Sequence, residues 1–277
     1  MVLEIIAIYY WIDEIIKYMG HKQDKRCLMS DSEIITTLIV AARFFSGNIE
    51  KARLFLRDHG YIKNMLEKSR FNRRQHALGF DFIQDVMKIA AEFLKKTSFE
   101  YVVDSFPVPV CDNVRITRCR IYREEVFRGY TRSKKRYFFG VKVHVITTTQ
   151  GEPIEFLLTP GSCNDCKALK MFQMDYPSGS IIYADKGYND YQEEELLMEA
   201  AEIELAVQRK IDSKRPHSGC KDYIINLKRK VVETVFSGIA NLFPKKIHAV
   251  KSVGFEMKIA LFLCAATLNS LINQVMN

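Results

Sequence analysis

Asp104, Asp185 and Glu233 are the acids whose surroundings suggest chemistry. Asp104 follows the β-branched and aromatic run Tyr101-Val102-Val103 and is predicted to end a first strand. Asp185 ends a compact apolar strand over 180–184 and opens the turn Asp185-Lys186-Gly187-Tyr188. Glu233 lies one residue off the apolar stripe of a late helix and shares its i, i+4 face with Arg229 and Ser237. In open α/β sheets functional groups gather at the carboxyl ends of strands. Carboxylate oxygens suit hard divalent cations such as Mg²⁺. Two such ions about 4 Å apart clamp the attacking and departing oxygens of a phosphodiester. Singly, each acid has a plainer role: a turn cap, a turn opener and a surface glutamate. Their joint placement in a basic chain favours the catalytic reading.

Those acids need a sheet, and the second half of the chain supplies one. Pro107 and Pro109 after Asp104 forbid a helix. Strand-like runs follow over 137–148 and 153–158, joined by the hairpin segment Thr149-Gln150-Gly151-Glu152. A short helix from Asp165, the strand at 180–184, an acidic helix over 191–201 and a strand over 203–207 come next. A late helix is predicted from about Lys228 to Pro244, and a last one over 255–276. An antiparallel meander followed by α/β units predicts an α/β, ribonuclease H-like catalytic domain, a mixed sheet flanked by helices, over 99–277. Residues 1–98 carry no strand pattern. Ser30-Asp31-Ser32-Glu33 is a helix start signal, and apolar residues recur at helical spacing over 49–66 and from Phe80. That region is predicted to be a small all-helical module.

The chain has 277 residues, with 41 Lys and Arg against 33 Asp and Glu, a net charge of +8. This excess points to a polyanionic partner. Arg115, Arg118, Arg120 and Arg123 begin a basic run that continues through Arg128, Arg132, Lys134, Lys135 and Arg136, with Tyr122, Phe127 and Tyr130 interleaved. Arginines track phosphates and aromatics stack on splayed bases. Arg70, Asn72, Arg73 and Arg74 form a second basic block, whose amide and guanidinium groups are suited to reading base edges. The apolar N-terminal run is interrupted by Glu4, Asp13 and Glu14, and Ile259–Leu268 is too short to span a bilayer, so a cytoplasmic protein without a membrane partner is expected. The seven cysteines are an odd, scattered set of reduced thiols. Cys163 and Cys166 form a C-x-x-C without the second pair that zinc would want. Asp165 reads as an accessory acid or, preferably, a helix N-cap, and His144 as a satisfied core histidine.

Several blocks carry a resemblance. Ser30-Asp31-Ser32-Glu33-Ile34-Ile35, Ser69-Arg70-Phe71-Asn72-Arg73-Arg74, Asp104-Ser105-Phe106-Pro107-Val108-Pro109-Val110-Cys111, Phe138-Phe139-Gly140-Val141-Lys142-Val143-His144, Leu158-Thr159-Pro160-Gly161-Ser162, Ala184-Asp185-Lys186-Gly187-Tyr188 and Glu233-Thr234-Val235-Phe236-Ser237 occur in order along the chain. The chain resembles bacterial insertion-sequence transposases of the DDE type, most closely the nine-eight-two insertion-sequence family. The resemblance implies DNA transposition, with Mg²⁺ or Mn²⁺, two ions, held by Asp104, Asp185 and Glu233. It implies double-stranded DNA as partner, both terminal inverted repeats and target, and a homo-oligomer on that DNA. The N-terminal region would help recognise the element ends. Related transposases often carry a Tyr, Arg, Glu, Lys signature on the last catalytic helix; Arg229 and Glu233 fit it, whereas Asn226 and Ala240 stand at the tyrosine and lysine positions. Asn164-Asp165 departs from an expected His-Asp. The alternatives are a ribonuclease H-like nuclease without strand transfer and an inactive, transposase-derived DNA-binding protein.

Overall fold

The structure, a computed structural model, describes residues 1–24, 26–131, 135–244 and 246–276; the side chains of 230–235, 275 and 276 fall outside that description. Arg132 and Lys134 of the basic run therefore lie outside the described residues. Two units are distinct: Met1–Ala91 with Asn241–Asn277, and Glu92–Ala240.

The first unit is helical. Helix α1 (Val2–Tyr18) buries the stripe Ile5, Ile8, Ile12, Ile15 and Ile16. Helix α2 (Asp31–Phe44) starts as its sequence predicts. Ser30 Oγ accepts from Glu33 N at 3.1 Å, and the Glu33 carboxylate accepts from Ser30 N at 2.6 Å. Helix α3 (Ile49–Asp58) follows and is shorter than the stretch expected over 49–66. Helix α4 (Lys68–Lys95) is broken at Gly79, where φ of 81° and ψ of 178° leave the helical region and only glycine is at ease. The basic block from Arg70 to Arg74 thus sits on its own helical segment ahead of the one expected from Phe80.

The last helix of the chain, α8 (Ser252–Met276), packs on α1 and α2. The sequence reading grouped it with the catalytic half, but its contacts lie with the N-terminal helices. A helix apolar nearly all round must be covered on several sides, and α1 and α2 offer facing apolar surfaces. By length and composition Ser252–Gln274 would suffice to cross a membrane, yet 78 % of its most apolar window is buried within the protein.

The second unit holds a six-stranded mixed sheet in the order β2-β3-β1-β5-β6, with β4 also pairing with β3. Strands β1 (Glu100–Cys111), β3 (Arg136–Thr148) and β4 (Pro153–Pro160) are antiparallel, while β5 (Ile181–Ala184) and β6 (Glu204–Val207) run parallel to β1. Helices α5 (Asp165–Leu169), α6 (Tyr191–Ala201) and α7 (Gly219–Leu242) complete it. This mixed α/β arrangement is consistent with a ribonuclease H-like fold.

Two local expectations are corrected. Asp104 does not end β1, which continues through Pro107 and Pro109 to Cys111. The parallel partner β5 pairs only with Glu100 to Val103, so it has ended before the prolines are reached and among the described residues no other strand replaces it. A proline there costs no ladder hydrogen bond. Second, Arg128–Thr131, inside the basic run, is a short strand β2 on β3. Four residues spelling Arg-Gly-Tyr-Thr carry too little alternation to reveal it.

Candidate active site

The register of the parallel pair positions two of the predicted acids. Val103 is opposite Ala184, so Asp104 and Asp185 follow side by side on neighbouring strands, which lie about 4.8 Å apart in such ladders. Each carboxylate is anchored through Oδ1 by a backbone N–H. Ser105 N donates to Asp104 at 2.8 Å, and Gly187 N donates to Asp185 at 2.6 Å. Asp185 thereby caps the single 3₁₀ turn Lys186–Tyr188. From α7, Arg229 Nη1 stands 3.7 Å from Asp185 Oδ2. Both aspartates line a cleft of ≈1270 Å³, which among the described residues Arg128, Lys142, Lys186, Lys210 and Arg229 also line.

A third acid in this cleft is Asp165. The preferred sequence reading made it the N-cap of α5, but Asn164 takes that role, its side chain accepting from Cys166 N at 2.9 Å. Asp165 instead accepts from Ser105 Oγ and Lys142 Nζ, both at 3.2 Å from Oδ1. Lys142 is held in addition by the Cys163 carbonyl at 2.8 Å. Gly187 separates Asp165 from Asp185: a Cβ there would lie 3.1 Å from Asp165 Oδ2 and 2.7 Å from Asp185 Oδ1. The local Asn-Asp sequence does not specify these contacts, because Ser105 and Lys142 lie on β1 and β3, far away along the chain.

Beneath these acids His144 is fully buried between the Tyr188 hydroxyl at 3.3 Å and Thr159 Oγ1 at 3.0 Å, a satisfied core histidine. Burial lowers its pKa to about 4, against the pull of nearby Asp165, so the ring is neutral near pH 7. Burial, reinforced by the charges of Asp165 and Asp104, holds the Tyr188 phenol well above its usual range. Cys163 and Cys166 flank the start of α5; burial raises the Cys166 thiol, and its Sγ donates to the Gly187 carbonyl at 3.1 Å.

Residues 94–249 match the family described as "Transposase DDE domain". The chain belongs to the DDE transposases. Similarity to a named relative is narrower. The chain is 28% identical over 110 residues to the transposase for insertion sequence element IS1106 of Neisseria meningitidis serogroup B, covering 39% of this chain and 38% of that protein. The chain thus spans well under two thirds of that curated relative. No solved structure matches it.

DDE domains generally use divalent metals, and the oxygen donors of Asp104 and Asp185 suit a hard cation. Among the described residues no group of three metal-ligating side chains is gathered. Glu233 falls within α7, but its side chain lies outside the described residues. The other predicted residues of this DDE transposase are spread out. Arg229 lines the cleft; Arg115, Arg118, Arg120 and Arg123 are exposed on and beyond a 3₁₀ turn and are not part of its lining. In the helical unit, Arg70, Arg73 and Arg74 border a hollow of ≈400 Å³ together with Arg26. Arg70, Asn72 and Arg73 are exposed, whereas Arg74 is half-buried and pairs with the buried Asp31, which also contacts His21 at 2.9 Å. Sequence reasoning missed Lys142 and Lys186 as cleft cations; Lys142 lies within β3 and Lys186 follows the end of β5.

Proposed function

We propose that this protein is a DNA transposase that cuts at the ends of its element and joins the freed 3′ hydroxyls to target DNA. The observation that carries this reading is the pairing of Val103 with Ala184, which sets Asp104 beside Asp185 in a cleft rich in cations. Asp104, Asp185 and Glu233 would hold Mg²⁺ or Mn²⁺, two ions. When bound, these supply activation of the attacking oxygen and charge stabilisation at phosphorus. Support for Glu233 comes from helical spacing. Arg229, four residues before it, approaches Asp185, and Phe236, three residues after it, packs edge-on against Phe106 with ring centroids 6.4 Å apart. Positions i−4 and i+3 share a helix face with position 233.

The chain's own residues orient the rest. Arg229 restrains Asp185, the backbone N–H groups of Ser105 and Gly187 fix the two carboxylates, and the cleft cations hold the DNA backbone. Arg115, Arg118, Arg120 and Arg123 extend that grip on phosphates outside the cleft. Arg70, Asn72 and Arg73, exposed within the N-terminal module, contribute to recognition of terminal inverted repeats, while Arg74 is held by Asp31. Function as a homo-oligomer on DNA, in the bacterial cytoplasm at the nucleoid, is part of the same reading.

The test is strand transfer with pre-cleaved element ends in Mg²⁺. Asp104→Asn, Asp185→Asn and Glu233→Gln should each abolish joining while DNA binding survives, because phosphate contacts are left in place. Wild type that cleaves intact element ends yet does not join pre-cleaved ones would be a nuclease. Near wild-type joining by any variant would remove that residue from the metal set.

A further inference from the structure

Two exposed tyrosines face the cleft and are not used by the chemistry above. Tyr130 on β2 stands directly opposite Tyr137 on β3. Side chains alternate between faces along paired strands. The neighbouring pair, Gly129 and Phe138, is buried, whereas Tyr130 and Tyr137 are 47 % and 58 % exposed. Their ring centroids are 4.9 Å apart with planes at 57°, so the rings are tilted and not stacked parallel. Both line the cleft that holds Asp104, Asp185 and Arg128. The other aromatics of this segment behave differently: Tyr122 is buried and stacks on Phe127 at 3.9 Å and 17°.

We infer that Tyr130 and Tyr137 form a stacking platform for an unpaired nucleobase of the DNA strand held in the cleft. The cleft's cations suit a phosphate backbone, and a strand tracked by cations brings its bases with it. Within a duplex both faces of a base are covered by its neighbours, so a splayed base is the one that offers a face to an exposed ring. The platform would make the protein prefer DNA opened near the cleavage point over fully paired DNA. This inference rests on the transposase reading and adds a substrate feature to it.

The test uses the full chain in EDTA, so that no reaction occurs, with a blunt duplex and the same duplex carrying a short single-stranded extension. Wild type should bind the extended DNA more tightly and quench 2-aminopurine placed in the extension. Tyr130→Ala and Tyr137→Ala should lose roughly five- to a hundredfold of the affinity for extended DNA, the range for one lost base stack. Their affinity for blunt duplex and their slope of log K against log salt should not change, since no phosphate contact is lost. Tyr130→Phe and Tyr137→Phe should retain both preference and quenching. Both rings are exposed, and circular dichroism establishes that each variant is folded. Equal wild-type affinity for the two DNAs, or Ala variants that keep the preference, would overturn the platform alone. Failure to bind either DNA would overturn the transposase reading with it.

Discussion

Asp185 is held by the backbone of Gly187, whose N–H donates to its Oδ1 at 2.6 Å and whose missing side chain leaves room for that oxygen. Gly187 has no left-handed backbone to justify its identity. Close approach does: an added Cβ would sit 2.7 Å from Asp185 Oδ1 and 3.1 Å from Asp165 Oδ2. Because the crowded atoms end short side chains, the carboxylates can swing away at little cost to the fold.

Gly187→Ala should therefore cut strand transfer by roughly a hundredfold, the scale of a displacement of about 1 Å in a catalytic group. Its melting temperature should stay close to wild type. Joining assays beside thermal melts decide this, and a variant that keeps full activity would show that Asp185 tolerates the shift.

Lys142 and Asp165 should be energetically coupled. Their side chains are only 19% and 27% exposed, and Lys142 Nζ lies 3.2 Å from Asp165 Oδ1. Lys142→Met leaves Asp165 with Ser105 and without its cation, while Asp165→Asn leaves Lys142 with the Cys163 carbonyl. Urea unfolding of both single variants and the double variant should give a coupling of roughly 0.5–3 kcal/mol. Strict additivity would mean that the pair is held by its surroundings and not by mutual attraction.

His144 makes stability depend on pH. Its folded pKa of about 4 is below the ordinary 6.5, so between these values the unfolded chain binds the proton that the folded one refuses. Its contribution is complete above pH 6.5, falls as pH drops towards about 4, and is flat below. The total loss should reach a few kcal/mol. His144→Gln should flatten this part of the stability profile. Parallel profiles for wild type and variant across that window would contradict a buried neutral imidazole.

Arg74 should differ from its two neighbours. Arg74→Ala strips the buried Asp31 of its guanidinium, leaving His21, and should cost roughly 1–3 kcal/mol of stability. Arg70 and Arg73 are exposed and form no ion pair among the described residues. Arg70→Ala and Arg73→Ala should leave stability within about 0.5 kcal/mol and weaken binding to terminal-repeat DNA. Thermal melts and DNA titrations separate the two effects; an unchanged melt for Arg74→Ala would return it to the DNA-facing group.

What could be read from the residues alone was what local chemistry decides. The capping box at Ser30 and Glu33 predicted the start of α2, and the acidic run over 191–201 coincides with α6, because caps and helical periodicity depend on neighbours in sequence. Strands β3 and β5 were visible within a residue for the same reason, as was Asp185 at a strand end. Helix α7 was only half legible: its early turns expose Tyr223, Ile224 and Leu227, so no clean apolar stripe announces its start at Gly219.

Partner choice was left to the tertiary structure. The prolines of β1 looked like a strand end, and only the early stop of β5 made them harmless members of the strand. The sequence of α8 demanded burial without saying against what, and α1 and α2 answered. Asp165 sits 61 residues after Asp104 and 20 before Asp185, yet strand pairing and the 3₁₀ turn bring it to Lys142, Ser105 and the gap left by Gly187. Pairing across a sheet joins residues by register and not by sequence distance, so which acids and cations share a cleft is settled only when the strands meet.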